Sequence, residues 1–89
     1  MKVRKRDGRE EDFSKIKIVA ALIKSGSSVE LADEIVSGCE SAFKGRNIIE
    51  SSEIREFVLN RLKERDLRAY ENWLRFDSQT KGLSFTVNR

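Results

Sequence analysis

The stretch Val3-Arg4-Lys5-Arg6-Asp7-Gly8-Arg9-Glu10-Glu11-Asp12-Phe13 decides how this 89-residue chain begins to fold. Asp-Gly is favoured at the centre of a type I′ turn, where both residues need a positive φ that Gly accepts freely and Asp tolerates. The runs 3–6 and 9–13 on either side therefore predict a tight β-hairpin. With Asp7 and Gly8 as a two-residue loop, Arg6 faces Arg9, Lys5 faces Glu10 and Arg4 faces Glu11. Like charges opposite each other on a ladder are mildly destabilising. Arg6 beside Arg9 thus points to an anion or a carboxylate on that face, and phosphate is the anion such a basic tip suits best.

Beyond Ser14 the period changes. Ile16, Val19, Ala20 and Ile23 recur at helical spacing until Gly26 supplies a stop, which predicts a helix over 14–25. Ser27 followed by Glu30 reads as a capping box, and Leu31, Ile35 and Ala42 help line a second helix over 28–44 that ends before Gly45. After a short connection through Ile48 and Ile49, Ser51 or Ser52 caps a third helix whose stripe is Ile54, Phe57, Val58 and Leu62. That helix ends near Arg65, and a bend at Asp66 opens a fourth carrying Leu67, Tyr70, Trp73 and Leu74. The tail Leu83-Ser84-Phe85-Thr86-Val87 alternates apolar and hydroxyl residues, the pattern of a short strand that could join the hairpin as its third. No proline and no solenoid-period repeat interrupts this order. The expectation is an α+β fold over a single domain, 1–89, with the N-terminal β-hairpin capping a small four-helix bundle.

Composition narrows the function. Apolar residues are 38% of the chain and charged residues 37%, a soluble globular balance rather than a disordered one. No apolar run approaches the roughly 20 residues that cross a bilayer, and no signal-peptide core follows the charged start, so a cytoplasmic protein without a membrane partner is expected. Cys39 is the single cysteine and histidine is absent, which excludes a disulfide framework, a zinc finger and a His-based catalytic centre within one chain. Cys39, in a helical segment, reads as a small buried hydrophobe. Neither paired catalytic carboxylates nor a Walker loop is present, and Gly8 alone makes no phosphate loop, so no catalytic residue, no metal ligand set and no enzyme is expected. The net charge of +3, from 18 basic and 15 acidic residues, favours an anionic partner.

The order hairpin, helix, helix, hydroxyl-led helix, aromatic helix resembles the ATP-cone family over residues 3–76. The resemblance is carried by Val3-Arg4-Lys5-Arg6-Asp7-Gly8-Arg9 with Glu11, Phe13 and Lys17-Ile18, by Ile49-Glu50-Ser51-Ser52-Glu53-Ile54, and by Ala69-Tyr70 with Trp73 and Phe76. It departs at Asp12, where many relatives have proline. The family's members are allosteric modules, known at the start of ribonucleotide reductase large subunits and in a zinc-ribbon repressor of reductase genes. The resemblance implies a stand-alone regulatory sensor of ATP or dATP, bound with Mg²⁺ between a hairpin roof and the helices. Carried over residue by residue, Lys5 and Arg6 contact phosphates, Glu11, Lys17 and Ser51 take their family places, and Ile18 lines the base or sugar.

Physical chemistry supports these roles independently. Lys and Arg match a triphosphate through charge-assisted hydrogen bonds, and a serine at a helix N-terminus brings free N–H groups to an anion. Glu11 suits a ribose hydroxyl, an adenine amino group or a bound Mg²⁺. Consecutive strand residues face opposite sides, so Lys5 and Arg6 need twist at the turn, or main-chain contact, to serve one ligand.

Each residue also has a plainer reading. The basic run can be a solvated edge that blocks aggregation, Ser51 only a cap and Lys17 only a surface lysine, while Tyr70, Trp73 and Phe76 at helical spacing are core packing. Two rival functions remain: a small nucleic-acid-binding module, prompted by a pI near 9.2, and a protein-interaction adaptor that keeps the fold without the nucleotide. Glu30, Asp33, Glu34, Glu40, Glu53 and Glu56 oppose the first by spreading negative charge over the helices. In the favoured reading, nucleotide draws the hairpin onto the helices and changes the surface offered to a second copy or to a regulated protein.

Overall fold

In the computed structural model, which describes residues 1–79 and the side chains of 1–75, strands and helices alternate in blocks. The order is β1 Lys2–Arg4, β2 Glu10–Asp12, α1 Lys15–Lys24, α2 Val29–Ala42, β3 Ile48–Glu50, α3 Ser51–Arg65 and α4 Leu67–Gln79. The class is α+β, with a three-stranded sheet of order β2-β1-β3 and four helices among the described residues.

The hairpin forms, but its loop holds three residues rather than two. The Gly8 N–H donates to the Lys5 carbonyl at 2.9 Å and the Lys5 N–H to the Arg9 carbonyl at 2.8 Å, so Arg6, Asp7 and Gly8 make the turn. Gly8 takes φ +92°, the left-handed position that ends a type I turn with a G1 bulge. Asp7 locks the geometry by accepting the Arg9 N–H at 3.0 Å and the Arg9 Nε at 2.8 Å. The pairing therefore runs Lys2 to Asp12, Val3 to Glu11 and Arg4 to Glu10, one residue away from the sequence expectation. Arg6 does not face Arg9, and the like-charge argument for an anion there falls away. A one-residue slip turns every side chain of a strand to the other face. Here it brings Glu11 to the face of buried Val3, with Lys5, instead of leaving Glu11 in solvent.

The third strand also differs from expectation. Residues 83–87 lie outside the described residues, and β3, read in the sequence as a connection, pairs parallel to β1 with Lys2 at Ile48, Val3 at Ile49 and Arg4 at Glu50. The β-branched pair Ile48-Ile49 suits a strand, and β2, α1 and α2 provide the long crossover that a parallel pair requires.

Ser14 caps α1 by accepting the Lys17 N–H at 3.3 Å. The helix ends in a Schellman motif: Gly26, at φ +107°, donates to the Ile23 carbonyl at 2.9 Å, and Ser27 to the Leu22 carbonyl at 3.1 Å. The buried stripe of α1 is Ile18 and Leu22, flanked by half-buried Val19 and Ala21, whereas Ile16, Ala20 and Ile23 are exposed. The expected stripe was thus the outer one, because this helix is apolar on both sides and periodicity alone cannot choose between them.

Ser28, not Ser27, caps α2, accepting the Leu31 N–H at 3.1 Å, and Ala32, Ile35, Val36 and Cys39 form its buried side while Ala42 is exposed. α3 follows β3 without a loop, so its cap is Glu50, whose N–H donates to Glu53 Oε2 at 3.2 Å, and Ser51 is the first helical residue instead of the cap. Ile54, Val58 and Leu62 are buried as read, with Leu59 beside them. The expected break falls at Asp66, which accepts the Ala69 N–H at 3.1 Å and starts α4. Trp73 is buried and Tyr70 packs against the core, so both are packing residues; the side chain of Phe76 lies outside those described.

Candidate functional site

Register, cap and helix face meet at the mouth of the hairpin. Val3, Glu11, Asp12, Phe13, Ser14, Lys17, Ile18 and Ile54 line a pocket of about 260 Å³, a volume that includes the solvent at its opening. Three residues expected at a site, Glu11, Lys17 and Ile18, share this one wall. Glu11 reaches it from β2, while α1 presents Lys17 and Ile18 one turn beyond the Ser14 cap.

Lys5 joins the group through Glu11. Its Nζ lies 3.6 Å from Glu11 Oε2, and the lysine side chain is 10% exposed against 35% for the glutamate. Lysine is rarely this buried, because an ammonium withdrawn from water needs compensating partners. The pair is therefore a charge held in place beside the pocket. Continuing the parallel register of β1 and β3 by one residue sets Ser51 beside Lys5. Ser51 is half-buried in the first turn of α3, where backbone N–H groups have no partner within the helix.

Arg6 is not on the pocket wall. It stands in the exposed turn, which resolves the alternation difficulty: Lys5 points inward from the strand end, and Arg6 belongs to the loop. Most neighbouring cations are matched, Lys2 with Asp12 at 2.8 Å, Arg4 with Glu50 at 3.2 Å, Arg9 with Asp7 at 2.8 Å and Lys15 with Glu40 at 3.6 Å. Those four read as structural ion pairs. Among the described residues neither Arg6 nor Lys17 has a carboxylate partner.

Arg55 belongs with these cations and was missed in the sequence. It stands one turn after Ser51 on α3 and is partly buried; burial, and then the Arg6 guanidinium, pull its pKa below the ordinary arginine value. Two guanidiniums, one from the hairpin tip and one from α3, therefore face each other's field. The signal available in sequence was the spacing Ser51–Arg55, four residues on one helix face. Without the tertiary fold it looked like any surface arginine.

Among the described residues no group of three or more His, Cys, Asp or Glu side chains could hold a metal ion. Cys39 is buried and free, its thiol pushed up to about 11 by burial and by Glu40, so it acts as a hydrophobe. No described helix is long and apolar enough to cross a membrane.

A hairpin, a parallel third strand and four helices arranged about a pocket that collects lysines, arginines and one glutamate define a small α+β domain of binding chemistry. The family model of the ATP cone domain matches residues 1–77, and the chain belongs to the ATP-cone family. Its members are regulatory rather than catalytic domains and bind adenine nucleotides. An uncharacterized protein of Archaeoglobus fulgidus is 46% identical over 35 residues, 39% of this chain and 74% of that protein.

Proposed function

We propose that this chain is a cytoplasmic regulatory module that binds ATP or dATP at the hairpin pocket and, in doing so, changes how it associates with a second copy or with a regulated protein. The observation that carries the reading is the convergence of Glu11, Lys17 and Ile18 on one pocket, with Lys5 held against Glu11. A pocket of about 260 Å³ falls just under the usual range of roughly 300–1,000 Å³ for ligand sites. It suits a base or sugar against Ile18 and Ile54, while the phosphates run outward over the cations. Lys5 and Arg6, with Ser51 and Arg55 beside them, receive that charge. Glu11 suits a sugar hydroxyl or a base amino group. With no carboxylate cluster to cage it, Mg²⁺ would arrive on the phosphates. The hairpin then serves as a roof drawn toward the helices.

Isothermal titration calorimetry with ATP, dATP, ADP and GTP in Mg²⁺ tests this reading against a Lys5→Ala, Arg6→Ala double variant. The expected result is micromolar binding of adenine nucleotide by the wild type and loss of at least about tenfold in the folded variant, the scale of one or two charge-assisted hydrogen bonds. A folded wild type that binds no purine nucleotide leaves the adaptor reading in its place.

A further inference from the structure

α1 carries a second apolar surface that the core does not use. Ile18 and Leu22 point inward, and on a 3.6-residue helix Ile16, Ala20 and Ile23 fall on the opposite side. They are open to solvent, Ile16 at 81% and Ile23 at 41%. A helix that is apolar on two faces is built to pack on two sides. The small Ala20 between the isoleucines lets another helix approach closely.

Charge selects what fits there. The ten residues of α1 include Lys15, Lys17 and Lys24 and no acid. Lys17 and Lys24, seven residues apart, border the same edge of the outer face, and Lys17 has no carboxylate partner among the described residues. A second copy packed antiparallel about a two-fold axis would set Lys17 and Lys24 of both copies along one edge, a like-charge arrangement that disfavours pairing. Two isoleucines on a ten-residue helix are too little apolar area to hold a lipid surface.

We propose that the Ile16–Ala20–Ile23 face of α1 docks an amphipathic helix of another protein, one whose apolar stripe is bordered by acidic residues. The apolar stripe buries the isoleucines and the acids answer Lys17 and Lys24. Ile16 and Ile23 lie outside the pocket lining, so this docking is expected without nucleotide and stands apart from nucleotide binding.

Fluorescence anisotropy on the nucleotide-free full chain tests it with two labelled synthetic peptides that share a Leu/Ala stripe, one flanked by glutamates and its twin by lysines. The glutamate peptide is expected to saturate and to bind at least about tenfold more tightly than the twin. Ile16→Asp should weaken that binding by about tenfold or more, while Leu67→Asp, on exposed α4, leaves it unchanged. Circular dichroism verifies that both variants keep the wild-type helix content. Absence of saturation, equal binding of the twins, or full binding by Ile16→Asp overturns the proposal. So does an Ile16-dependent attachment to phosphatidylglycerol vesicles, or an Ile16-dependent self-association in sedimentation, in place of peptide binding.

Discussion

Lys5 and Glu11 show how one pair can be both structural and poised. An exposed ion pair contributes little, because water screens it and long side chains lose entropy on forming it. Lys2–Asp12 is of that kind, with both side chains largely in solvent. Lys5 is different, since its ammonium is mostly shielded and a vacancy at Glu11 would leave that charge poorly compensated. Glu11→Gln is therefore expected to lower stability by about 1 kcal/mol, whereas Asp12→Asn stays within about 0.5 kcal/mol of wild type. Urea unfolding of the two variants side by side measures the difference, and equal midpoints would show that the pair is no more than surface charge.

At the scale of the element, the end of α1 couples two helices. Gly26 allows the Schellman turn, and the Ser25 carbonyl left outside that turn accepts Asn72 Nδ2 of α4 at 2.9 Å. A Cβ on Gly26 would meet that same Nδ2 at 3.5 Å, ordinary contact, so the obstacle to alanine is φ +107° rather than space. Gly26→Ala is expected to cost about 1 kcal/mol or more from left-handed strain. Asn72→Ala should cost about 1 kcal/mol through the lost hydrogen bond. If the two act only through their separate causes, the double variant is additive in thermal unfolding. Strong non-additivity would mean that α4 itself shifts when the turn is altered.

Over the whole molecule, pH reports the charge arrangement. Arg9 holds Asp7, Lys2 holds Asp12, Arg65 holds Glu34, and Arg46 with the Glu50 N–H holds Glu53, each below the ordinary carboxylate range. A carboxyl whose folded pKa is depressed adds stability above its unfolded pKa and loses it as pH falls through the folded one. Stability should accordingly decline on acidification below about pH 4. Cys39 governs the alkaline side: the unfolded thiol ionises from about pH 8.5, while the native one is held protonated up to about 11 by burial and Glu40. Stability should fall there as pH rises. With no histidine in the chain, the urea midpoint is expected to be flat between about pH 5 and 8, and a step in that window would contradict this account.

Local chemistry made much of this protein legible before any coordinates. Ser14, Gly26 and Asp66 mark helix boundaries because capping depends on a few neighbouring residues, and the stripe Ile54, Val58, Leu62 is apolar on one side only. Among the residues singled out, Glu11, Lys17 and Ile18 do meet at one pocket. What sequence could not decide depends on partners distant in the chain. Asp7-Gly8 fits either a two- or a three-residue loop, and the choice that turns Glu11 inward is the one that lets Val3 and Phe13 pack on the core. Ile48–Glu50 becomes a strand because β1 offers it an edge, and that pairing displaces Ser51 from cap to first helical residue. α1 is apolar on both sides, so only its packing against α2 settles that Ile18 and Leu22 are core while Ile16 and Ile23 face water. Arg55 comes under the influence of Arg6 only once the hairpin has folded back toward α3. The sequence by itself determined the elements and their ends, since those follow from contacts within a few residues; register, edge pairing and the facing of each helix came from the tertiary structure, where burial of one face against a distant one outweighs local preference.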